Sequence, residues 1–197
     1  MSILRKEIWQ QFCAQTGSSY VEGGFARNDK IEATHGPWTV TLDTYVVSTG
    51  KSAVIFTRMR APYVNPDGFR FTVFQNSIFT EIAKWFGMQD IEVGYPEFDH
   101  AYVIKGNDEQ KLRRLFSNEN IRRLISAQPN IYFSVKDDDA KLWGKNFPDG
   151  VDELYFKVVG VIKDIERLKL LYDLFAETLD ELCRMGSAYE QSAGITL

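Results

Sequence analysis

The strongest candidate for acid–base chemistry is a short segment around one of the two histidines. His100 is flanked by the carboxylates of Glu97 and Asp99 and by the phenol of Tyr102. A carboxylate beside an imidazole can support general base catalysis or a metal site. Neighbouring residues at the start of a strand point to opposite sides, so Asp99 and His100 need not share a site. The segment predicts either a catalytic group or a loop-fixing, exposed role for these residues. His35, before Gly36-Pro37, is expected to be a turn residue.

Two arginine pairs form a basic cluster in an otherwise acidic chain. Arg113 and Arg114 are followed nine residues later by Arg122 and Arg123. Both pairs fall on predicted short helices whose buried positions are expected to be Leu112, Leu115, Phe116, Ile121, Leu124 and Ile125. The arginines then point outward, where they could converge on a phosphate, a carboxylate or an acidic protein partner. The alternative is a solvated helix face, and the same two readings apply to Arg58 and Arg60 on a predicted strand.

Established catalytic and metal-binding motifs are missing from the sequence. It contains no GxSxG nucleophile elbow, no HExxH zinc motif, and neither a GxGxxG nor a GxxxxGK[ST] phosphate loop. The run Asp137–Asp139 fails as a calcium loop, because Leu142 stands where an EF-hand has Gly and Pro148 where it has Glu. Cys13 and Cys183 form no CxxC pattern and are interpreted as buried structural thiols. We therefore predict no metal and no cofactor.

Composition narrows the class of protein further. The 197 residues include 23 Lys and Arg against 27 Asp and Glu, a net charge of −4, and 44% are hydrophobic. These values are typical of a folded globular chain and exclude a disordered one. Mild acidity weighs against nucleic-acid binding and against an anionic membrane surface. Charges near the start and the absence of a long apolar run predict a cytoplasmic, soluble protein.

Periodicity predicts helices at both ends of the chain and a sheet between them. The spacing of Leu4, Ile8 and Phe12 indicates an N-terminal helix. An apolar stripe from Ile165 to Leu182 indicates a long C-terminal helix, which Asp164 caps and Gly186 ends. A turn-rich stretch is predicted between the first helix and Trp38, and a turn at Asn65–Gly68. The other predicted elements are strands at Trp38–Ser48, Ala53–Ala61 and Phe69–Gln75, a helix over Ser77–Gly87, a loop at Glu92–Phe98, a strand at His100–Lys105, helices at Asp108–Phe116 and Asn120–Ala127, and strands at Asn130–Lys136 and Leu154–Val161.

These elements predict one α+β domain over residues 1–186, followed by a mobile tail over 187–197. An antiparallel, twisted sheet that begins with an N-terminal β-meander is packed against helices. Aromatic residues make up 14% of the chain, and most of those between Phe69 and Phe86 are expected in the core. The five aromatic residues left at turns or loops are candidates for a pocket or an interface: Trp38, Tyr63, Tyr95, Trp143 and Phe147. Of these, Trp143 is a candidate ligand-binding residue.

The stretch Phe98–Asp108 resembles an FDxxYxVxGxD pattern found in uncharacterised bacterial domains. In these domains the pattern opens a strand that is followed by short helices and two further strands. The similarity extends loosely over residues 95 to 160 and implies a bacterial origin but no catalytic assignment. It implies that Phe98 and Tyr102 are anchors, Asp99 a loop or helix cap, and Gly106 a turn residue.

Two functions follow from the sequence. The leading hypothesis is a non-catalytic binding or protein-interaction module that takes an anionic ligand or an acidic partner, with a homodimer as one option. The alternative is a small hydrolase that acts on an anionic substrate through Glu97, Asp99 and His100 and the basic helices over 108–127. In the hydrolase hypothesis Arg113 or Arg122 holds the anionic substrate. The candidate ligand-binding residues overall are Arg113, Arg114, Arg122, Arg123 and Trp143.

Overall fold

The computed structural model describes residues 3–24, 28–48, 50, 52–75, 90–137 and 147–197, with eight strands and five helices among them. In chain order these are α1 (Ile3–Thr16), β1 (Ser19–Val21), β2 (Lys30–His35), β3 (Trp38–Ser48), β4 (Ala53–Val64), β5 (Phe71–Gln75), α2 (Pro96–Ala101), β6 (Tyr102–Gly106), α3 (Glu109–Ser117), α4 (Glu119–Ser126), β7 (Tyr132–Lys136), β8 (Val151–Val159) and α5 (Ile165–Met185). The predicted helix over Ser77–Gly87 and the candidate ligand-binding residue Trp143 lie outside the described residues.

The strands form one antiparallel sheet in the order β1-β2-β3-β4-β8-β7-β5-β6. The first four strands are a meander, after which the chain crosses to the far edge and returns. The predicted α+β class, with its N-terminal meander and long C-terminal helix, is confirmed. Because β4 and β8 lie in the middle, the two halves of the chain share one sheet.

One row of apolar side chains runs across seven strands and forms the centre of the core. Each member pairs with the next across a strand boundary, and all are buried: Ile31, Leu42, Met59, Phe156, Phe133, Val73 and Ile104. The helix α5 packs on this face through its buried apolar stripe, and the ring of Phe175 meets that of Phe133 at 5.7 Å. Alternation along each strand puts the neighbouring residues on the opposite face.

That opposite face carries charged side chains in cross-strand register. Asp43 accepts two hydrogen bonds from Arg58, at 2.6 and 2.8 Å, and one from Arg60 at 2.8 Å. Arg60 also approaches the buried carboxyl of Glu153 at 3.9 Å. On the neighbouring strands, cationic groups lie over aromatic rings: Lys136 over Tyr155 at 3.6 Å and Lys157 over Tyr132 at 4.7 Å. Arg58 and Arg60, which the sequence placed on one outward face, are thus paired with a shared carboxylate.

Three local predictions are corrected by the structure. The turn-rich stretch before Trp38 contains β1 and β2, whose short and polar sequences give a weak signal even though Ile31 and Ala33 alternate inward. The predicted loop and strand around Asp99 are a helix, α2, because a single turn is too short to show a helical period. β4 continues through Pro62, where it pairs with β8 alone, since its pairing with β3 ends at Arg60.

The ends of α5 follow the sequence closely. The Asp164 side chain accepts a hydrogen bond from the Arg167 backbone N–H at 3.1 Å, and Gly186 is left-handed with φ of 77°. The tail after Gly186 starts with two buried residues, Ser187 and Ala188, and the Tyr189 N–H donates to Val64 at 3.1 Å. The mobility of the remaining tail residues stays a prediction.

The buried carboxyl of Glu153 makes stability depend on pH. Burial raises the pKa of this carboxyl, opposed by the nearby Arg60, Lys136 and Arg58. Between the pKa of Glu153 in the unfolded state and its higher pKa in the folded state, the folded protein binds more protons than the unfolded protein. The free energy of unfolding therefore falls as pH rises through that window. Glu153→Gln has no carboxyl to titrate, so this loss is absent from the variant. The free energy of unfolding of the variant minus that of wild type should therefore increase as pH rises. Urea unfolding at a series of pH values measures the difference.

The control for this comparison is Glu7→Gln, which changes an exposed glutamate on α1. Its free energy of unfolding should follow wild type within about 0.5 kcal/mol at every pH. A Glu153→Gln curve that runs parallel to wild type would contradict the assignment.

Candidate functional site

Asp99 fixes the loop that leads into α2. One carboxylate oxygen accepts the Val93 N–H, and the other accepts the Gly94 and Tyr95 N–H groups, each at 2.9 Å. Gly94 has φ of 94°, a conformation that glycine adopts without strain. Three backbone donors on one carboxylate make Asp99 a positioning group for this loop. The sequence allowed either a catalytic or a loop-fixing role for Asp99, and the observed arrangement is the loop-fixing one.

Glu97 and His100 stand apart from this network. Both are exposed on α2, and neither forms a hydrogen bond or an ion pair with another described residue. No hydrogen bond joins the imidazole of His100 to Asp99, whose two oxygens are occupied by the backbone. The structure therefore keeps the three predicted catalytic residues on one helix without coupling them.

The two basic helices form as the sequence predicts. Asp108 caps α3 by accepting the Lys111 N–H at 3.0 Å, and Asn118 caps α4 by accepting the N–H groups of Asn120 and Ile121. The predicted apolar positions are all buried: Leu112, Leu115, Phe116, Ile121, Leu124 and Ile125. The caps fix where each helix starts and so which way its arginines point.

The four arginines do not converge. Arg113 donates to Glu109 at 2.8 and 3.0 Å, and Arg114 donates to the Arg184 carbonyl at 2.8 Å. Arg123 donates to the side-chain oxygen of Asn120 at 2.7 Å. Arg122 donates to the carbonyl of Phe116, and its guanidinium carbon lies 3.5 Å from the centre of the Tyr95 ring. Arg122 and Arg123 therefore belong to one site, and Arg113 and Arg114 to other surfaces.

A groove of about 770 Å³ lies between α2, the start of β6 and α4. Its apolar part is built on Phe98 and Tyr102, whose rings are buried and 4.7 Å apart. Arg122, Arg123, Glu97 and Glu119 supply its charges, and the full lining is Tyr95, Pro96, Glu97, Phe98, Ala101, Tyr102, Glu119, Arg122, Arg123 and Ser126. We call this the α2–α4 groove.

Arg122 is the half-buried charge of the groove. It forms no ion pair with any described residue, and a single hydrogen bond to the Phe116 carbonyl occupies one of its five N–H donors. The Tyr95 ring restrains the guanidinium by a cation–π contact. A planar guanidinium held in this way can donate two parallel hydrogen bonds to a carboxylate or phosphate.

Of the remaining predicted groups, Tyr95 alone lines the groove among the described residues. Cys13 and Cys183 are free thiols; Cys13 is buried as predicted, whereas Cys183 is only half-buried, and partial burial raises the pKa of both. No three His, Cys, Asp or Glu side chains of the described residues are grouped to hold a metal ion. Of the five aromatic residues set apart by the sequence, Tyr95 lines the groove, Phe147 lines a second pocket, and Trp38 and Tyr63 are core. The sequence signal for Tyr95 was its position in a loop between Gly94 and Pro96.

Removing the Asp99 carboxylate should destabilise the protein, because it leaves three backbone N–H groups without their acceptor. We expect Asp99→Ala to lower the free energy of unfolding by about 2–3 kcal/mol. The matched variant His100→Ala changes the adjacent exposed residue and should alter stability by less than about 0.5 kcal/mol. Urea unfolding of the two variants checks both values, and equal losses would contradict the positioning role.

Comparison of the chain with protein-family models, with curated proteins and with solved structures returns no match. The resemblance at Phe98–Asp108 therefore stays an expectation. Among the described residues, no helix combines the length and apolar character that crossing a bilayer requires.

Proposed function

We propose that this protein is a non-catalytic binding module and that its α2–α4 groove takes an acidic segment of a partner protein. The observation that supports this is the guanidinium of Arg122, held over Tyr95 with no carboxylate partner among the described residues. A charge that is partly removed from water without a counter-ion is unfavourable in the free protein. A ligand carboxylate would supply the missing partner.

The chemistry of the groove favours a carboxylate next to an apolar side chain. Arg122 provides the donors, and the rings of Phe98 and Tyr102 provide apolar surface beside it. Glu97 and Glu119 are exposed, so water screens their charges more than it screens that of Arg122. An Asp or Glu followed by an apolar residue matches this order of contacts.

The shape of the groove favours a polypeptide over a small molecule. The groove is open to solvent, whereas pockets for small ligands bury most of the ligand surface. An extended or helical segment can lie along an open groove and place alternate side chains in it. Arginine and tyrosine are also the residues most often found to dominate the energy of protein interfaces.

The hydrolase hypothesis stays a prediction, as do the homodimer, the cytoplasmic location and the bacterial origin. For hydrolysis Asp99 would have to leave its three backbone donors, or Glu97 would have to serve His100 instead. The groove needs neither rearrangement to bind an acidic segment.

The test uses an acidic and a neutral peptide of one pattern: acetyl-Glu-Phe-Glu-Leu-Glu-amide and its counterpart with Gln in place of each Glu. Wild type should bind the acidic peptide and bind the neutral one at least tenfold more weakly, as isothermal titration calorimetry can measure. Arg122→Gln should weaken binding of the acidic peptide by about tenfold or more, because a hydrogen-bonded charge pair contributes about 1.5–3 kcal/mol. Arg122→Lys keeps the charge but loses the fork, so an intermediate affinity is expected.

The matched control is Arg113→Gln, which removes the same charge from the neighbouring helix outside the groove. Its affinity should stay within about twofold of wild type. Equal binding of both peptides, no binding of either, or an Arg122→Gln variant that is folded by circular dichroism and binds like wild type would each overturn the proposal.

A further inference from the structure

The walls of the α2–α4 groove are two short helices, and this limits what can lie between them. Eight of the ten described lining residues belong to α2 or α4, and the other two, Tyr95 and Tyr102, directly flank α2. The backbone N–H and C=O groups of a helix bond along its own axis and are not offered sideways to a ligand. The walls therefore present side chains and few backbone donors or acceptors.

The helix ends and the sheet edge beside the groove are also engaged. The Tyr102 N–H donates to the Phe98 carbonyl, and the Asn118 side chain caps the first turn of α4. Farther along β6, the outermost strand on this side of the sheet, the Ile104 carbonyl accepts the Ile91 N–H at 2.8 Å. A ligand that binds by strand addition needs a free row of backbone groups, and this edge of β6 already has bonds of that kind in place.

An extended segment would also have to bury its own backbone in the groove. Over the rings of Phe98 and Tyr102 its N–H and C=O groups would lose water and gain no partner from the helical walls. A helical segment bonds these groups internally and presents only side chains to the walls. The nature of the walls therefore favours a helix over an extended chain.

The lining residues of α4 have the spacing of a helix-packing face. Glu119, Arg122, Arg123 and Ser126 occupy positions i, i+3, i+4 and i+7. They span the eight residues of α4, a length of about 12 Å at 1.5 Å per residue. Two turns of a partner helix cover the same length, so the ridge on α4 can be matched along all of it.

The charges of the groove set the order of side chains on such a partner. Arg122 lies one turn after Glu119 on α4, and Glu97 lies on the facing helix α2. Both glutamates are exposed, and neither forms an ion pair with a described residue. A partner helix with a carboxylate opposite Arg122 and basic residues one turn away would be complementary to both signs of charge.

We infer that the acidic partner segment is an amphipathic helix, an inference that rests on the proposed function and identifies its ligand class. The contact stripe of this helix has an acidic residue opposite Arg122 and apolar residues three and four positions later, over Phe98 and Tyr102. Basic residues at the ends of the stripe lie near Glu97 and Glu119. About two turns of helix make all of these contacts.

The test compares two peptides of identical composition by isothermal titration calorimetry. The first is acetyl-Ala-Lys-Ala-Ala-Glu-Ala-Ala-Leu-Phe-Ala-Ala-Lys-Ala-Ala-amide, which places its contact residues on one helical face. The second is acetyl-Ala-Ala-Lys-Ala-Glu-Ala-Leu-Ala-Phe-Ala-Lys-Ala-Ala-Ala-amide, in which the same residues alternate as on a strand. The first should bind at least about tenfold more tightly. Its isotope-labelled form should show nuclear Overhauser contacts between residues three positions apart in the complex.

Three variants of the protein locate the bound helix. Arg122→Gln should weaken binding of the first peptide by about tenfold. Glu119→Lys reverses an exposed charge and should weaken it by about threefold at low salt. Arg113→Gln, outside the groove, should stay within about twofold of wild type. An unchanged affinity of Glu119→Lys would contradict the charge order of the stripe.

The outcomes separate this inference from the proposed function. If both peptides bind equally, or the second binds more tightly, while Arg122→Gln still weakens binding, the helix is wrong and the acidic-segment proposal stands. Absence of the three-position contacts in the complex, or no binding of either peptide, would also overturn the helix. If a folded Arg122→Gln variant binds the first peptide like wild type, the proposed function fails and this inference fails with it.

Discussion

The pairing of β4 with β8 is the constraint on which the rest of the structure depends. Nine residue pairs, from Phe56 with Val159 to Val64 with Val151, join the N-terminal meander to the strands of the second half. A shift of one residue would exchange the faces of every side chain on β8 and put Phe156 among the charges. The same register brings the turn at residues 65–68 beside residues 147–150, where the Asn65 N–H donates to the Gly150 carbonyl at 2.7 Å.

Aromatic packing carries that register from the sheet to the helices and to the α2–α4 groove. Ring centres less than 6 Å apart connect the base of the groove to α5 in one chain: Tyr102, Phe98, Phe116, Phe71, Phe133 and Phe175. Phe116 on α3 lies in the middle, between the ring of the short helix α2 and that of β5. Aromatic pairs in such geometries add about 0.5–1.5 kcal/mol each beyond the area they bury. Six of the 27 aromatic residues of the chain thus form one continuous cluster, and Arg122 lies over a further ring, Tyr95, at its edge.

Two concave surfaces of the protein have opposite electrostatic character within an acidic chain. The groove places beside apolar rings an arginine that pairs with no carboxylate of the described residues, whereas the pocket between residues 65–68 and 147–150 is lined by more carboxylates than cations. In the groove the Arg122 guanidinium is hydrogen-bonded to the Phe116 carbonyl but pairs with no carboxylate of the described residues. Such a charge is informative because buried charges in folded proteins are usually paired.

Residues whose partners are close in sequence could be predicted from the sequence, and residues whose partners are distant could not. Helix caps, apolar stripes and strand alternation depend on neighbours within about one turn or two residues, so α3, α4, α5 and the strands from β3 onward were predicted with small errors at their ends. The helix α2 was not predicted, because it shows no apolar period and depends on the hydrogen bonds that Asp99 accepts from the backbone of the preceding loop. By itself the sequence determined an α+β fold with outward arginines and a loop aromatic at Tyr95. Tertiary structure alone decided that Arg122 stacks on that ring, that Arg113 and Arg114 turn elsewhere, and that two Pro-Asp-Gly turns form one pocket, because strand register and helix packing set those contacts across long stretches of chain.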